Sequence, residues 1–504
     1  MRGVWRENVN GNRRMSNGEG VDRSVSDFAI PARDRACIPP LLAGWFAPIL
    51  AAMSPTAARP VVPLLSIMMF LQFFVWGTWF STINVALDAA KLADFIGSAY
   101  AAVPLGAIFA PLFLGIVADR FFPSQVIMGV LFLVGGVLIY LAGSAAEAGN
   151  GALMSKLFLA HMLCYMPTLG LGNTIAFTHL RRIDFPRIRV WGTIGWIAAG
   201  LMVGALGWSA DLGIMKMAAY ASIALGIFSF VLPHTPAPAK GQKIDLRALL
   251  MLDALKLLAK PSFLVFILCS GLICIPLAYY FGMTGPFLAN AGFEQPASTM
   301  TIGQMSEIVF MLLIPFFFRR LGVKWMIITG MLTWFVRYLL FAYGAPDQVA
   351  WMLFLGIALH GICYDFFFVT GFMYTDHVAP KEVRGQAQSL LVFVTQGIGM
   401  WIGYAIVFGK PWLGLGGTAS QLTSTGALGE AITASRAEES LTFFQKLAKM
   451  FSIEMPGAVD AALISETMAQ WKTFWIFPAI MALVIAAIFF AAFWDKTRVT
   501  EEGE

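Results

Sequence analysis

Charged residues are scarce in this chain of 504 residues: only 12% are Asp, Glu, Lys or Arg, whereas 58% are hydrophobic. Soluble globular domains carry about 25% charged residues, so an ordinary water-soluble fold is excluded. The net charge of +5 is mild, and its distribution does not predict nucleic-acid binding. The composition indicates a protein that crosses the lipid bilayer many times.

Cysteine is also rare, and its positions form no functional pattern. Cys164, Cys269, Cys274 and Cys363 lie inside apolar runs, and no histidine cluster accompanies them. We interpret them as small packed thiols rather than metal ligands. The chain has no Walker loop and no nucleophile elbow. We therefore expect no catalytic residues, no metal and no organic cofactor.

Long apolar runs are what the sequence has in abundance. Runs of about 20 residues, long enough to cross a bilayer as helices, lie near 62–86, 96–117, 124–143, 154–179, 188–208, 214–232, 262–283, 302–318, 325–343, 350–374, 386–408 and 471–494. The sequence predicts an all-α polytopic membrane protein with about twelve transmembrane helices in two six-helix halves. Two similar halves are typical of transporters built from repeats.

Composition shifts along the chain divide it into segments. We predict an N-terminal extension at 1–60, a first half at 61–232, a linker at 233–261, a second half at 262–494 that contains an insertion at 410–470, and a tail at 495–504. The extension reads as disordered, and the alternative is that the natural start is Met53. The later part of the insertion, Ala434–Phe451, has helical periodicity, which predicts a helix on the outer surface.

Basic residues fall in alternate loops. They are Arg120, Arg181, Arg182, Arg187, the lysines of the linker, Arg319, Arg320, Lys324, Lys381, Arg384, Lys496 and Arg498. By the positive-inside rule these loops are cytoplasmic, and so are both termini.

A carboxylate lies inside the apolar run Thr301–Phe318. Gln304 and Glu307 are three residues apart and share one face of a helix. A carboxylate at such a depth costs roughly 2.5–3.5 kcal/mol. Glu307 should therefore face a wet cavity or a partner; the alternatives are a structural ion pair and a position at the membrane interface.

Asp365 is the acid placed deepest within an apolar run. It follows Tyr364, and His360 precedes it by about one helical turn. Such an acid indicates a cavity, a proton-binding role or an arginine partner, and Arg337 is a candidate partner. Tyr364 and His360 could hydrogen-bond a ligand, although a histidine held by packing is as plausible.

The run that begins near residue 188 carries a buried cation. Arg189, Thr193 and Trp196 follow one another at helical spacing and share a face. An arginine one turn inside the membrane needs a carboxylate or a polar ligand; the alternative is snorkelling toward the cytoplasm. Weaker polar or amphipathic candidates are Gln72, Trp76, Trp79, Asn84, Thr168, Asn173 and Gln396.

The end of the second run has the pattern small residue, three residues, acid, base. Gly115, Asp119 and Arg120 carry it, and it resembles the loop signature of the major facilitator superfamily. A capping charge pair is the alternative. If the resemblance holds, these residues belong to the gate and not to the substrate site.

Several further motifs resemble a family within that superfamily, the nucleoside:proton symporters. They are Phe70-Leu-Gln72-Phe-Phe-Val-Trp76, Tyr165-Met-Pro-Thr-Leu-Gly-Leu-Gly-Asn173, Ile188-Arg189-Val-Trp191-Gly-Thr193-Ile-Gly195, Gln304-Met-Ser-Glu307, Arg337, Tyr364-Asp365-Phe-Phe and Arg384-Gly-Gln-Ala-Gln388. They cover the chain from about Leu64 to Trp494. The resemblance implies a major facilitator fold and proton-driven uptake of nucleosides, with the proton as coupling ion.

The resemblance also implies a set of binding residues. Arg189, Thr193, Gln304, Glu307 and Asp365 match the family's binding positions, and Trp196 stands where the family more usually has Phe. His360 stands where a Tyr is expected. The stretch Ile273–Phe287 has no Gln or Asn, although the family can place both there, with Tyr279 and Tyr280 as candidate substitutes.

A transport mechanism follows from these expectations. Trp196 and Tyr364 would stack on the base, while Gln304, Glu307, Asp365 and His360 would bind polar groups. Asp365 or Glu307 would carry the proton, because a carboxylate titrates when its surroundings change between two states. We expect a monomer in a bacterial inner membrane. The alternatives are a proton-coupled sugar or glycoside transporter, and a transporter-like sensor that binds without transport.

Overall fold

The protein is described by a computed structural model that covers residues 61–114, 119–180, 185–237, 247, 250–410, 415–436 and 441–494. The predicted extension at 1–60 and the tail at 495–504 lie outside the described residues. So does Gly115, and of Asp119 only the backbone is described.

The described chain is almost entirely helical. Its first part contains α1 (Val61–Phe80), α2 (Ile83–Ala89), α3 (Ile96–Phe113), a single turn at Asp119–Phe121, α4 (Ser124–Glu147), α5 (Gly151–His179), α6 (Phe185–Leu206) and α7 (Gly213–Ser229). Its second part contains α8 (Leu252–Leu255), α9 (Pro261–Asn290), α10 (Pro296–Gly344), α11 (Ala350–Val378), α12 (Arg384–Phe408), α13 (Thr425–Ser435), α14 (Phe443–Ala448) and α15 (Ala461–Ala492). A two-residue ladder pairs β1 (Gly409–Lys410) with β2 (Leu415–Gly416).

The number of membrane-crossing segments agrees with the sequence. Ten described helices are long and apolar enough to cross a membrane. One of them, α10, has 49 residues and is broken at Gly322, where φ is 68° and ψ is 177°; its two parts match the runs predicted at 302–318 and 325–343. Helix α7 is apolar but has 17 residues. The all-α fold class with about twelve spans is confirmed, whereas the predicted boundaries of the two halves stay a prediction.

Glycines let the helices that carry the site approach closely. Helix α1 packs along α6, and a Cβ on Gly195 would lie 2.1 Å from the carbonyl oxygen of Phe70. Helix α11 packs against α10 in the same way, since a Cβ on Gly361 would lie 2.6 Å from the carbonyl of Ser306. The Oγ of Ser306 accepts a hydrogen bond from the Gly361 N–H at 3.0 Å, which fixes the register of the two helices.

Helices of the first part meet helices of the second part at one end of the bundle. The Asn84 side chain donates to the carbonyl of Gly282, and Ser298 Oγ donates to the carbonyl of Gly200 at 3.3 Å. The rings of Tyr100 and Phe408 are stacked, with centroids 5.6 Å apart and an interplanar angle of 8°. These contacts close that end, which we call the insertion end because the 410–470 insertion follows α12 there.

The insertion is packed against the bundle. Lys449 forms an ion pair with Glu294 at 3.0 Å, and α14 contacts α6. The single helix predicted over Ala434–Phe451 is wrong. Helix α13 ends at Ser435, and α14 begins after Thr442, because a capping box between Thr442 and Gln445 satisfies the free N–H groups of a new helix.

Candidate functional site

A cavity lies between α1, α3, α6, α9, α10, α11 and α12. Its volume is about 730 Å³ when the part open to solvent is counted. It is lined by Phe73, Trp76, Phe80, Val103, Arg189, Thr193, Trp196, Phe281, Gln304, Glu307, His360, Tyr364, Gln396 and Met400. Ligand pockets are usually concave and largely apolar with a few placed polar groups, and this cavity has that character.

One side of the cavity, the polar sector, is built from three helices. Arg189 and Thr193 come from α6, Gln304 and Glu307 from α10, and His360 and Tyr364 from α11. Each pair is three or four residues apart, so helical geometry directs both members to one side. Of the eight residues predicted to bind substrate, these six and Trp196 line the cavity, and Asp365 does not.

Arg189 lies over an aromatic ring at the edge of the polar sector. Its guanidinium carbon is 4.2 Å from the centroid of Phe73, a favourable cation–π geometry. A Cβ on Gly192 would lie 2.7 Å from Arg189 Nη1, so the glycine leaves room for the guanidinium. Phe73 was not predicted, although it lies in the first apolar run among other aromatics.

Glu307 lies at the cavity wall, where its residue is 9% exposed. Arg189 is close enough to interact with it electrostatically. Among the described residues the two form no direct ion pair, so both side chains retain hydrogen-bonding capacity toward the cavity.

Asp365 lies behind this wall. It is fully buried, and neither of its carboxylate oxygens has a hydrogen-bond partner within the described part of the chain. It begins a π-helical turn, Asp365–Val369, a feature that is frequent at functional sites. Glu307 is close enough to interact with it electrostatically, so the two predicted proton-binding carboxylates are neighbours.

The suggested pairing of Arg337 with Asp365 is wrong. Arg337 is fully buried, but its guanidinium carbon lies 3.3 Å from the centroid of the Tyr280 ring. Its Nη1 lies 3.2 Å from Nδ1 of His360. Arg337 belongs to α10, and its polar neighbour on α11 is His360 rather than Asp365, because the Tyr280 ring holds the guanidinium beside His360.

A second group of side chains, the aromatic sector, consists of Phe73, Trp76, Phe80, Trp196 and Phe281. The Trp76 and Trp196 ring centroids are 5.4 Å apart, Phe80 and Trp196 are 5.7 Å apart, and Phe80 and Phe281 are 5.0 Å apart. Together they present ring faces and edges from three helices. Trp79, by contrast, packs on Phe158 at 4.8 Å and does not reach the cavity.

The remaining wall, the third sector, comes from α3 and α12. It consists of Val103, Gln396 and Met400. Gln396 lies in the second π-helical turn, Phe393–Gly399, and is the polar residue of this sector. The sequence marked Gln396 only as one of several amides.

Several other polar candidates do not line the cavity. Gln72 Nε2 donates to Thr168 Oγ1 at 3.2 Å, so both serve to join α1 and α5. The Tyr279 hydroxyl bonds Thr418 Oγ1 at 2.9 Å, and Tyr280 lies beneath Arg337; neither lines the cavity. Asn173 is exposed. Tyr279 and Tyr280 as substitutes for cavity amides are therefore not supported.

The fold and the site define a class: a polytopic transporter with a ligand cavity between two sets of helices, in the major facilitator fold. A solved structure titled nucleoside transporter NupG matches with a TM-score of 0.66 at 26% identity, covering 87% of this chain and all of that one. A bacterial homologue of the lysosomal transporter Spinster, at 14% identity and a TM-score of 0.61, agrees in fold alone.

Sequence comparison then identifies the family. The model of the nucleoside H+ symporter family matches residues 61–412. A putative nucleoside transporter, YegT of Escherichia coli, is 38% identical over 85% of this chain and 93% of its own length. Nucleoside permease NupG of the same organism is 32% identical over 69% and 86%. The chain belongs to the nucleoside H+ symporter family.

Proposed function

We propose that this protein imports nucleosides together with protons by alternating access in a bacterial inner membrane, as a monomer with both termini in the cytoplasm. One observation carries the proposal: a single cavity joins an aromatic sector to a polar sector that holds a carboxylate, an arginine and an amide. The basic loops support the orientation.

The two sectors match the two parts of a nucleoside. A base is flat and stacks on aromatic rings, with about 1–3 kcal/mol per base in known cases, and Trp196, Trp76 and Phe80 offer such faces. Ribose hydroxyls donate and accept hydrogen bonds, and Glu307, Gln304 and Thr193 complement them.

Proton coupling is assigned to the pair Asp365 and Glu307. Burying a charge without a partner is costly unless the group is neutralised, and Asp365 is buried with both oxygens unpartnered. Proton uptake is the simplest way for Asp365 to occupy this position. Glu307 lines the cavity and interacts electrostatically with Asp365, so ligand binding at Glu307 would affect the protonation of its neighbour.

Alternating access would rock the two sets of helices around the cavity. The contacts at the insertion end, such as Tyr100 with Phe408, support a state in which that end is closed. Arg120, with Gly115 and Asp119, remains the proposed gate element at the opposite end of α3.

Uptake into proteoliposomes tests the proposal. With an acidic exterior and an alkaline lumen, radiolabelled uridine and adenosine should accumulate, and a protonophore should abolish the accumulation. Accumulation of sugars in place of nucleosides would contradict the substrate assignment, and binding without uptake would favour a sensor.

A further inference from the structure

We propose that Gln396 reads the hydrogen-bonding edge of the nucleobase and is a specificity-determining residue of this cavity. The inference rests on the proposed function. It concerns a residue of α12, a helix to which the binding residues expected from the sequence do not belong.

The distribution of polar side chains around the cavity carries the first step. The polar sector comes from α6, α10 and α11, and α10 packs against both of the other two helices. In the third sector the neighbours Val103 and Met400 are apolar. Gln396 is partly exposed at the cavity, and no hydrogen bond holds its amide within the described residues. A partly exposed amide that makes no hydrogen bond within the described residues, on a wall that is otherwise apolar, can bond a ligand.

The position of α12 relative to the aromatic sector carries the second step. Tyr100 of α3 contacts Phe80, with ring centroids 5.8 Å apart, and also Tyr404 of α12 at 5.1 Å. Tyr100 thus connects Phe80 of the aromatic sector with α12, the helix that carries Gln396 and Met400, so the third sector adjoins the aromatic sector. A base stacked on the aromatic side chains would present its edge toward α12, while its ribose reaches the polar sector.

The chemistry of the amide carries the third step. A glutamine offers one acceptor oxygen and one donor NH₂ side by side. Uracil presents N3–H beside a carbonyl oxygen, and adenine presents N1 beside its amino group. Because the amide can rotate to match either arrangement, one residue can pair with both kinds of base.

The backbone at Gln396 provides a reason for its placement. The π-helical turn Phe393–Gly399 inserts one residue into α12 and so changes which side chain faces the cavity. The next residue, Gly397, packs against α3 so closely that a Cβ there would lie 2.8 Å from Ile108. The turn thus holds Gln396 at the contact between the two sets of helices.

The test is a comparison of three ligands on purified full-length protein by calorimetry. The ligands are uridine, 3-methyluridine, which lacks the N3–H donor, and 2′-deoxyuridine, which lacks one ribose hydroxyl. Wild-type protein should bind 3-methyluridine about tenfold or more weakly than uridine, the effect of one unpaired buried hydrogen-bonding group. In Gln396→Leu this ratio should fall to near one, while the ratio of uridine to 2′-deoxyuridine stays as in wild type.

A matched control lies in the same turn. Thr395 is buried, and its hydroxyl donates to the carbonyl of Leu391 at 2.7 Å, so Thr395→Val should leave both ratios unchanged. If Gln396→Leu is not recovered folded, Gln396→Met serves, because its side chain has a similar length and no N–H donor or carbonyl acceptor, and its ratio of uridine to 3-methyluridine binding should also fall to near one.

Two outcomes distinguish a failure of this inference from a failure of the proposed function. If wild type binds uridine and 3-methyluridine equally, or if Gln396→Leu retains the wild-type discrimination, Gln396 does not read the base and only this inference is overturned. If wild type neither binds nor accumulates nucleosides, the proposed function falls as well.

Discussion

Arg337 Nη1 lies 3.2 Å from Nδ1 of His360 in the buried part of α11. A guanidinium can only donate, so Nδ1 must be the acceptor. The ring proton of a neutral His360 is therefore on Nε2. Arg337 is therefore a positioning residue that sets the tautomer of His360, a residue that lines the cavity.

Replacing Arg337 by Met should weaken uridine binding because the ring of His360 loses its fixed tautomer. We expect a rise in Kd of about tenfold, which corresponds to about 1.4 kcal/mol, the size of one hydrogen bond. A calorimetric double-mutant cycle with His360→Phe measures whether the effect passes through His360. In the His360→Phe background, Arg337→Met should cost little more, and additive losses would contradict the positioning role.

Replacing Asp365 by Asn should separate binding from proton coupling. Asp365 does not line the cavity, so the variant should still exchange labelled for unlabelled uridine across the membrane. Its accumulation ratio under an inward proton gradient should fall to about one, because the amide cannot take up the proton that a buried carboxylate without a hydrogen-bond partner requires. Glu307→Gln is the companion variant. Uphill accumulation by Asp365→Asn but not by Glu307→Gln would move the proton site to Glu307.

Truncating Trp196 should cost base stacking. Trp196→Ala should raise the KM for uridine uptake by about tenfold, in line with roughly 1–3 kcal/mol per stacked base. Trp79→Phe provides the control because Trp79 is fully buried against Phe158 and should lower thermal stability without changing the KM. A similar KM change in both variants would show that the aromatic effect is structural.

Adding a methyl group at Gly361 should disturb the register of α10 and α11. The new Cβ would meet the Ser306 backbone at 2.6 Å, and overpacking of this kind typically costs about 1–3 kcal/mol. Gly361→Ala should therefore lower the unfolding temperature and weaken uridine binding together. Gly426→Ala, in α13, has nothing within 4 Å of its Cβ and should be neutral or slightly stabilising. Equal effects of the two substitutions would refute the packing argument.

The fold could be predicted because bilayer thickness fixes helix length, and the apolar runs have that length. The break in α10 was visible too, since Arg319 and Arg320 interrupt the apolar run just before Gly322. Helical spacing also placed Gln304, Glu307, Arg189 and Thr193 on common faces, as the structure has them.

The rest of the site depends on information that hydropathy does not contain. Phe73, Phe80 and Phe281 are as apolar as residues that face lipid, so only the tertiary packing identifies them as cavity residues. A π-helical turn changes the phase of a helix without a clear sequence signal, which is why Gln396 was not distinguished from other amides. Arg337 was misassigned because the partner of a buried cation is decided by contacts between distant helices.

The insertion contacts helices of both the first and the second part of the chain. Lys91, in the loop after α2, forms an ion pair with Glu430 of α13, and α14 contacts α6, while Lys449 is tied to Glu294 between α9 and α10. Any motion that parts α6 from α10 at this end must either leave the insertion behind on one side or carry it along. Opening that end therefore requires the contacts of the insertion with one part of the chain to break, and the free energy of those contacts adds to the barrier for opening.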